Sequence, residues 1–242
     1  MRRRGWHISV LVPARNEEEL LPRCLYSIQL ARQNLPRTVT SDVIVVSDCS
    51  QDQTSTVAKT ILKDSGLVLE TNSGVVGSAR AVAATAAIER YCGPLNRCWL
   101  ANTDADCEVP ADWLVSHIDF AERGFRAVAG VVDVDSFVEH WEWVEERFRL
   151  TYLIHADGSH PHVHGANLGV RADAYLDVGG WSQMPSAEDH DLWNRLHHEG
   201  HMRVSDAALK VITSGRRIGR APSGFAEGLL RASLNQGCWF EV

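Results

Sequence analysis

The chain has no apolar run long enough to cross a membrane. Its longest stretches of that kind, residues 8–13 and 43–47, are strand-sized, against the roughly 20 residues a span requires. It has no basic excess either. Lys and Arg total 24 against 31 Asp and Glu, a net charge of −7, which argues against nucleic-acid binding. Its six cysteines (24, 49, 92, 98, 107 and 238) form no CxxC pair, so neither a zinc ribbon nor thioredoxin chemistry has support. With no secretion signal, the six read as reduced thiols of a cytoplasmic protein. The start, Met1-Arg2-Arg3-Arg4, has the charge of a signal peptide, but residues 13–17 interrupt the short apolar stretch behind it. Three charges attract anionic lipid only weakly, which leaves peripheral membrane association open. There is no repeat, low-complexity tract, Walker loop or dinucleotide fingerprint. What is present is ordinary: 242 residues, 45% hydrophobic and 23% charged, enough to bury a core without disulfides.

Strand-like and helix-like patterns alternate. Residues 7–12 read as a buried strand and 18–32 as a helix. Residues 43–47 form a second strand, 54–63 a helix that Asp52 or Thr54 would cap, and 67–70 a short strand. An Ala-rich helix follows over 78–91, then a strand over 99–103 that ends in acid. This βαβαβαβ series predicts an α/β fold, a mostly parallel central sheet flanked by helices. Its polar clusters follow the strand ends, the edge where open parallel sheets bind ligands. The second half is less regular. Strands are expected at 127–132 and 166–170, helices at 139–155, 188–199 and 224–235, and short extended pieces at Val204 and 209–213.

Four clusters carry chemistry. Pro13-Ala14-Arg15-Asn16-Glu17 turns the first strand into a helix, where backbone N–H groups and the helix dipole face a ligand. Asp48 ends the second strand too early to cap the next helix, so it is free to accept hydrogen bonds from a base or ribose. Gly77-Ser78-Ala79-Arg80 opens the third helix, and Arg80 opposes that helix's dipole, which suggests an anion partner. Asp104-Ala105-Asp106 is the strongest cluster. Residues i and i+2 of extended chain share a side, and two such carboxylates can hold a hard divalent cation that takes diphosphate oxygens.

Together these segments resemble family 2 glycosyltransferases of the GT-A fold. Later segments extend the resemblance: His164-Gly165-Ala166-Asn167, Gly179-Gly180-Trp181 and Glu188-Asp189-His190-Asp191, in the same order, over about residues 7–200. The resemblance implies a single domain over 1–242, with a nucleotide half to about 110 and an acceptor half beyond. It implies that Pro13, Ala14, Arg15, Glu17, Asp48, Gly77, Arg80 and Asp104 line the nucleotide of a UDP- or GDP-sugar. Asp106 would bind Mn²⁺ or Mg²⁺. Asp189 would be the base that deprotonates a hydroxyl acceptor, Glu188 would orient a sugar, and His164, Gly165, Asn167 and Trp181 would border the sugar site. The implied reaction is transfer of one hexose to a small or lipid-linked acceptor, with inversion as the default.

Two departures matter. The Q-x-x-R-W motif of processive members is absent, which points to transfer of a single sugar. No His follows His201 as a late metal ligand, and Ser214-Gly215-Arg216-Arg217-Ile218-Gly219-Arg220 stands there instead. Arg217 or Arg220 is expected to fold over the diphosphate, since guanidinium matches phosphate geometry. His160, His162 and His164 would share one side of an extended segment. That arrangement suits zinc, but Gly158 and Pro161 favour an acceptor-side loop. Trp239 is expected to pack the C-terminus, and most of the other tryptophans to be core or lid. Two rivals remain: a sugar-phosphate nucleotidyltransferase, whose Gly-rich basic opening loop is missing, and a non-catalytic nucleotide-sugar binder.

Overall fold

A computed structural model describes residues 5–184, 186–220 and 224–234. Its frame is a seven-stranded sheet. In chain order the strands are β1 (His7–Ala14), β2 (Thr40–Asp48), β3 (Leu67–Thr71), β4 (Cys98–Asn102), β5 (Ala127–Val134), β6 (Leu168–Arg171) and β7 (Arg203–Thr213). The spatial order is β3-β2-β1-β4-β6-β5-β7. The first four strands are parallel, as expected. The expected strand at 166–170 begins only at Leu168, after a 3₁₀ turn, and runs antiparallel to both β4 and β5. The two expected extended pieces near the end are one strand, β7, parallel to β5 and shifted in register between Ala129 and Val131.

The helices are α1 (Leu21–Gln33), α2 (Thr54–Leu62), α3 (Val76–Arg90), α4 (Trp113–Glu122), α5 (Glu142–Thr151), α6 (Ala172–Asp177), α7 (Glu188–His198) and α8 (Phe225–Leu234). Neither α4 nor α6 was expected. Helix α1 starts three residues later than predicted, with Pro22 in its first turn where a missing N–H costs nothing. Asp52 does not cap α2 from the N-cap position. Its Oδ1 accepts from the Thr54 N–H at 2.9 Å and its Oδ2 from the Glu18 N–H at 3.1 Å, so it ties two loops together. Among the described residues no helix is long and apolar enough to cross a membrane.

Strand alternation builds two cores. Val10, Val12, Val43 and Val45 face one side, against Leu21, Leu25 and Ile28 of α1 and Trp113 and Leu114 of α4. Leu11, Ile44 and Val46 face the other, against Ala79, Ala83, Ala84 and Ala87 of α3. Successive strand residues point to opposite faces, so both faces must be apolar when helices cover both. The Ala stripe brings α3 close to β1 and β2. Trp141, just before α5, and Trp143, in its first turn, are 63% and 42% exposed. Trp239, Cys238 and the end of the last predicted helix at Asn235 lie outside the described residues, and the described cysteines are free thiols.

His117 of α4 sits in the first core, fully buried, where its Nδ1 accepts from the Trp99 Nε1–H at 3.1 Å. Burial pushes its pKa down from 6.5 to about 3. Below pH 6.5 the unfolded chain therefore binds a proton that the folded chain refuses, and stability falls as pH drops from 6.5 toward 3. At pH 5 the cost is about 2 kcal/mol from this residue. Urea unfolding at pH 7 and pH 5 should show this loss, and His117→Gln should flatten the slope.

Candidate active site

The parallel edge of β1, β2 and β4 delivers three loops to one place. Ala14 pairs with Ser47, so β1 and β2 end nearly level, while β4 ends at Asn102 opposite Leu11, three residues short of the end of β1. The first two loops are bound together. Asn16 donates its N–H to Ser50 Oγ at 3.1 Å and accepts from the Gln51 N–H at 2.8 Å, and the Glu17 N–H reaches Thr54 Oγ1 at 2.8 Å. Asn16 and Cys49 both hold left-handed φ, at 52° and 54°. Non-glycine residues take that conformation at a cost and cluster at functional sites. Pro13 and Ala14 are buried in this junction, while Arg15 is exposed.

Asp48 lies at the mouth of the second loop. Burial raises its pKa, but hydrogen bonds from the Ser73 N–H at 2.7 Å, the Ser73 hydroxyl at 2.9 Å and the Thr71 hydroxyl at 2.9 Å outweigh it and hold the carboxyl below the usual range. It stays ionised near neutral pH, with its oxygens already engaged by the chain.

Arg80 is the hub. Its side chain is 3% exposed. The anion partner suggested by its place on α3 is the protein itself. Nη2 donates to Asp104 Oδ1 at 2.6 Å, Nη1 donates to the Gly165 carbonyl at 2.9 Å, and Nε stands 3.5 Å from Glu188 Oε1. The guanidinium also lies over Trp181, 5.5 Å from its ring centroid. Two glycines make room. A Cβ on Gly165 would come within 2.5 Å of Arg80 Nη2, and one on Gly77 would collide with the Ser182 carbonyl beside Glu188. Burial alone would lower the Arg80 pKa, but Asp104, Glu188 and Asp189 raise it above its ordinary value.

Glu188 and Asp189 open α7 directly after Ala187, which holds a left-handed φ of 61°. Burial raises the pKa of Glu188, helped by Asp189 and opposed by Arg80. Asp189 Oδ2 accepts from the Gly165 N–H at 2.8 Å, which aims it at the segment joining His164 to β6. Asp191 turns away and pairs with Arg195 at 2.7 Å.

Asp106 is the most perturbed carboxylate here. Burial, with Asp104 and Glu17 nearby, raises its pKa to about 6, against the pull of Arg216. Asp104, Asp106 and Cys107 bring one ligand atom each within 4.8 Å of one another, the only such group found among the described residues. The Cys107 thiol is pushed far up by burial, which leaves two carboxylates as the donors a hard cation would take.

Several expected residues stand elsewhere. Asn167 is fully buried. Its Nδ2 donates to the Val131 and Leu209 carbonyls and its Oδ1 accepts from Trp113 Nε1, so it binds β5, β7 and α4 together. Trp181 is only 5% exposed, beneath Arg80 rather than presented to a sugar. His164 is half-buried, its Nε2 paired with the Tyr152 hydroxyl at 2.8 Å, and burial drops its pKa to about 3. The rings of His160, His162 and His164 do share one side. They stack with centroids 5.8 and 5.9 Å apart, however, a column of faces rather than a convergent zinc set.

Arg217 is exposed, and its backbone N–H bonds Glu139. Arg220 reaches the rim, its Nε 3.9 Å from Glu17. The guanidinium that enters the carboxylate cluster is that of Arg216, which sequence reading passed over. Its partner Glu17 lies 199 positions away, and no local pattern distinguishes it from its two neighbours.

The chain resembles known proteins along these same lines. Over 78 residues it is 42% identical to poly(ribitol-phosphate) beta-N-acetylglucosaminyltransferase TarS of Staphylococcus aureus, a stretch covering 31% of this chain and 13% of TarS. The structure of S. aureus TarS 1–349 in complex with UDP-GlcNAc superposes over 90% of this chain and 61% of that one, with a TM-score of 0.65 and 20% identity. Mannosyltransferase PcManGT from Pyrobaculum calidifontis, in complex with GDP-Man and Mn²⁺, matches over 93% of this chain and 68% of its own, with a TM-score of 0.64 and 20% identity. This chain thus spans less than two thirds of the TarS fragment. The shared architecture is the GT-A fold. The sequence profile of glycosyl transferase family 2 matches residues 9–179, which takes in most of β1 and the Asp104–Asp106 pair, and the chain belongs to that family.

Proposed function

We propose that the protein transfers one hexose from a nucleotide-diphosphate sugar to a hydroxyl acceptor, with inversion, in the cytoplasm. The observation that carries this reading is the single buried guanidinium of Arg80 between Asp104 and Glu188. It ties Asp104 of the carboxylate pair to the acidic start of α7. The solved relatives bound to UDP-GlcNAc and to GDP-Man support a UDP- or GDP-sugar donor.

Ala14, Glu17 and Asp48 frame the nucleoside pocket in this reading. Asp106, with Asp104, would hold a divalent cation, Mn²⁺ or Mg²⁺, and the Mn²⁺ in the PcManGT complex supports that choice. When bound, the cation neutralises the leaving diphosphate. Asp189 removes the acceptor proton as the hydroxyl attacks the anomeric carbon. The Gly165 N–H holds its Oδ2 in place, and beside it Glu188 Oε1 stands 3.5 Å from Arg80 Nε. Single-sugar transfer, peripheral membrane association and a small or lipid-linked acceptor belong to the same reading.

The test is thermal unfolding with UDP, GDP, CMP or dTDP, each with Mn²⁺, Mg²⁺ or chelator. One diphosphate at about 100 times its Kd should raise Tm by about 5–10 °C, and only with metal. No shift with any nucleotide would overturn the donor assignment.

A further inference from the structure

Arg216 holds the carboxylate assigned above to the metal. Its Nη2 stands 2.8 Å from Asp106 Oδ2 and 2.6 Å from Glu17 Oε1, and its Nη1 donates to Glu17 Oε2 at 2.9 Å. The pairing is well enclosed, with side-chain exposure of 17% for Arg216, 14% for Asp106 and 5% for Glu17. A two-pronged guanidinium contact of this kind is among the stronger charged hydrogen bonds.

The segment carrying Arg216 is pinned on both sides. The Gly215 N–H donates to Asp135 Oδ1 at 2.9 Å, and the Gly215 carbonyl accepts from His140 Nε2 at 2.8 Å. A side chain at 215 would collide with the Ser136 carbonyl, so glycine is required for this approach. The Arg217 N–H donates to Glu139 at 2.9 Å. Asp135 also receives Arg23 Nη1 at 2.7 Å, whose Nη2 donates to the Asp106 carbonyl at 3.0 Å. The backbone beneath Arg216 and the backbone of Asp106 are thus fixed to each other, and only the Arg216 side chain is free to exchange partners.

We propose that Arg216 is a built-in counter-cation that competes with the divalent metal for Asp106. In the resting chain it bridges Glu17 and Asp106 and offsets one of their two negative charges. A cation gains Asp106 by displacing the guanidinium, which its pinned segment keeps beside Glu17. Metal alone therefore binds weakly. This inference rests on the assignment of Asp106 as the metal carboxylate, and it names the residue that regulates that site.

The probe is Mn²⁺ alone, at pH 8 and without nucleotide, titrated by calorimetry and by the electron paramagnetic resonance of free Mn²⁺. Arg216→Ala should bind Mn²⁺ at least tenfold more tightly than the wild type. Arg123→Ala, which removes one positive charge at the far end of α4, should stay within twofold. Arg216→Gln keeps a donor for Glu17 and answers the same question should the alanine variant fail to fold by circular dichroism. Equal or weaker Mn²⁺ affinity in folded Arg216 variants overturns the proposal, even where wild-type protein binds a nucleotide diphosphate. Tighter Mn²⁺ binding in them sustains it, even where no nucleotide binds and the donor assignment fails.

Discussion

Arg80→Ala should lower the unfolding free energy by about 3 kcal/mol, read as a fall in the urea midpoint. Removing one partner of a buried ion pair typically costs about 3–5 kcal/mol, because the remaining charge is left without compensation. Two carboxylates lose their cation here, Asp104 and the buried Glu188, and the Gly165 carbonyl loses its donor. The figure sits at the low end because the Asp104 side chain keeps 36% of its exposure and can rehydrate. Arg80→Lys should recover only part of the loss. An ammonium cannot span Asp104, Gly165 and Glu188 at once, as the planar fork does. An Arg80→Ala variant as stable as the wild type would show the hub to be incidental.

Asp189→Asn should leave nucleotide binding and melting temperature nearly unchanged and reduce turnover by about 10²–10⁴-fold, the usual contribution of a positioned base. The substitution is nearly isosteric, and an amide oxygen can still accept from the Gly165 N–H. It removes the ability to take a proton, along with the acceptor that Oδ1 offers the His190 N–H at 2.8 Å. A rapid-quench assay with radiolabelled donor sugar separates the outcomes. Retained turnover with intact donor binding would move the base elsewhere on the cleft. Asp191 is a poor substitute, since Arg195 holds it at 2.7 Å.

The donor half was readable because its signals are local. Buried parallel strands read as unbroken β-branched runs, and each ends in the polar residues that mark the ligand edge. Helix α4 went unread although Trp113, Leu114, His117, Ile118 and Ala121 lie at helical spacing, because His117 puts a polar residue in its apolar stripe. Strand β6 was misplaced because nothing in four residues records direction. The site was legible as residue types more than as roles. The position of Arg80 on α3 suggests an anion, and the protein's own anions beside it are 24 and 108 positions away in sequence. Asn167 reads like a polar site residue and instead secures three elements of the core. Arg216 carries no mark at all until Glu17 is folded against it.

The antiparallel β6 has a consequence for how the chain reaches this state. It lies between β4 and β5 in the sheet but follows both in sequence. Until residue 171 has left the ribosome, β4 presents a bare backbone edge, the kind of edge that recruits other chains. β5, already synthesised, cannot close it in the native arrangement. The nascent protein therefore carries an open seam through its centre, and the cleft is completed only when the last piece of sheet is threaded into it.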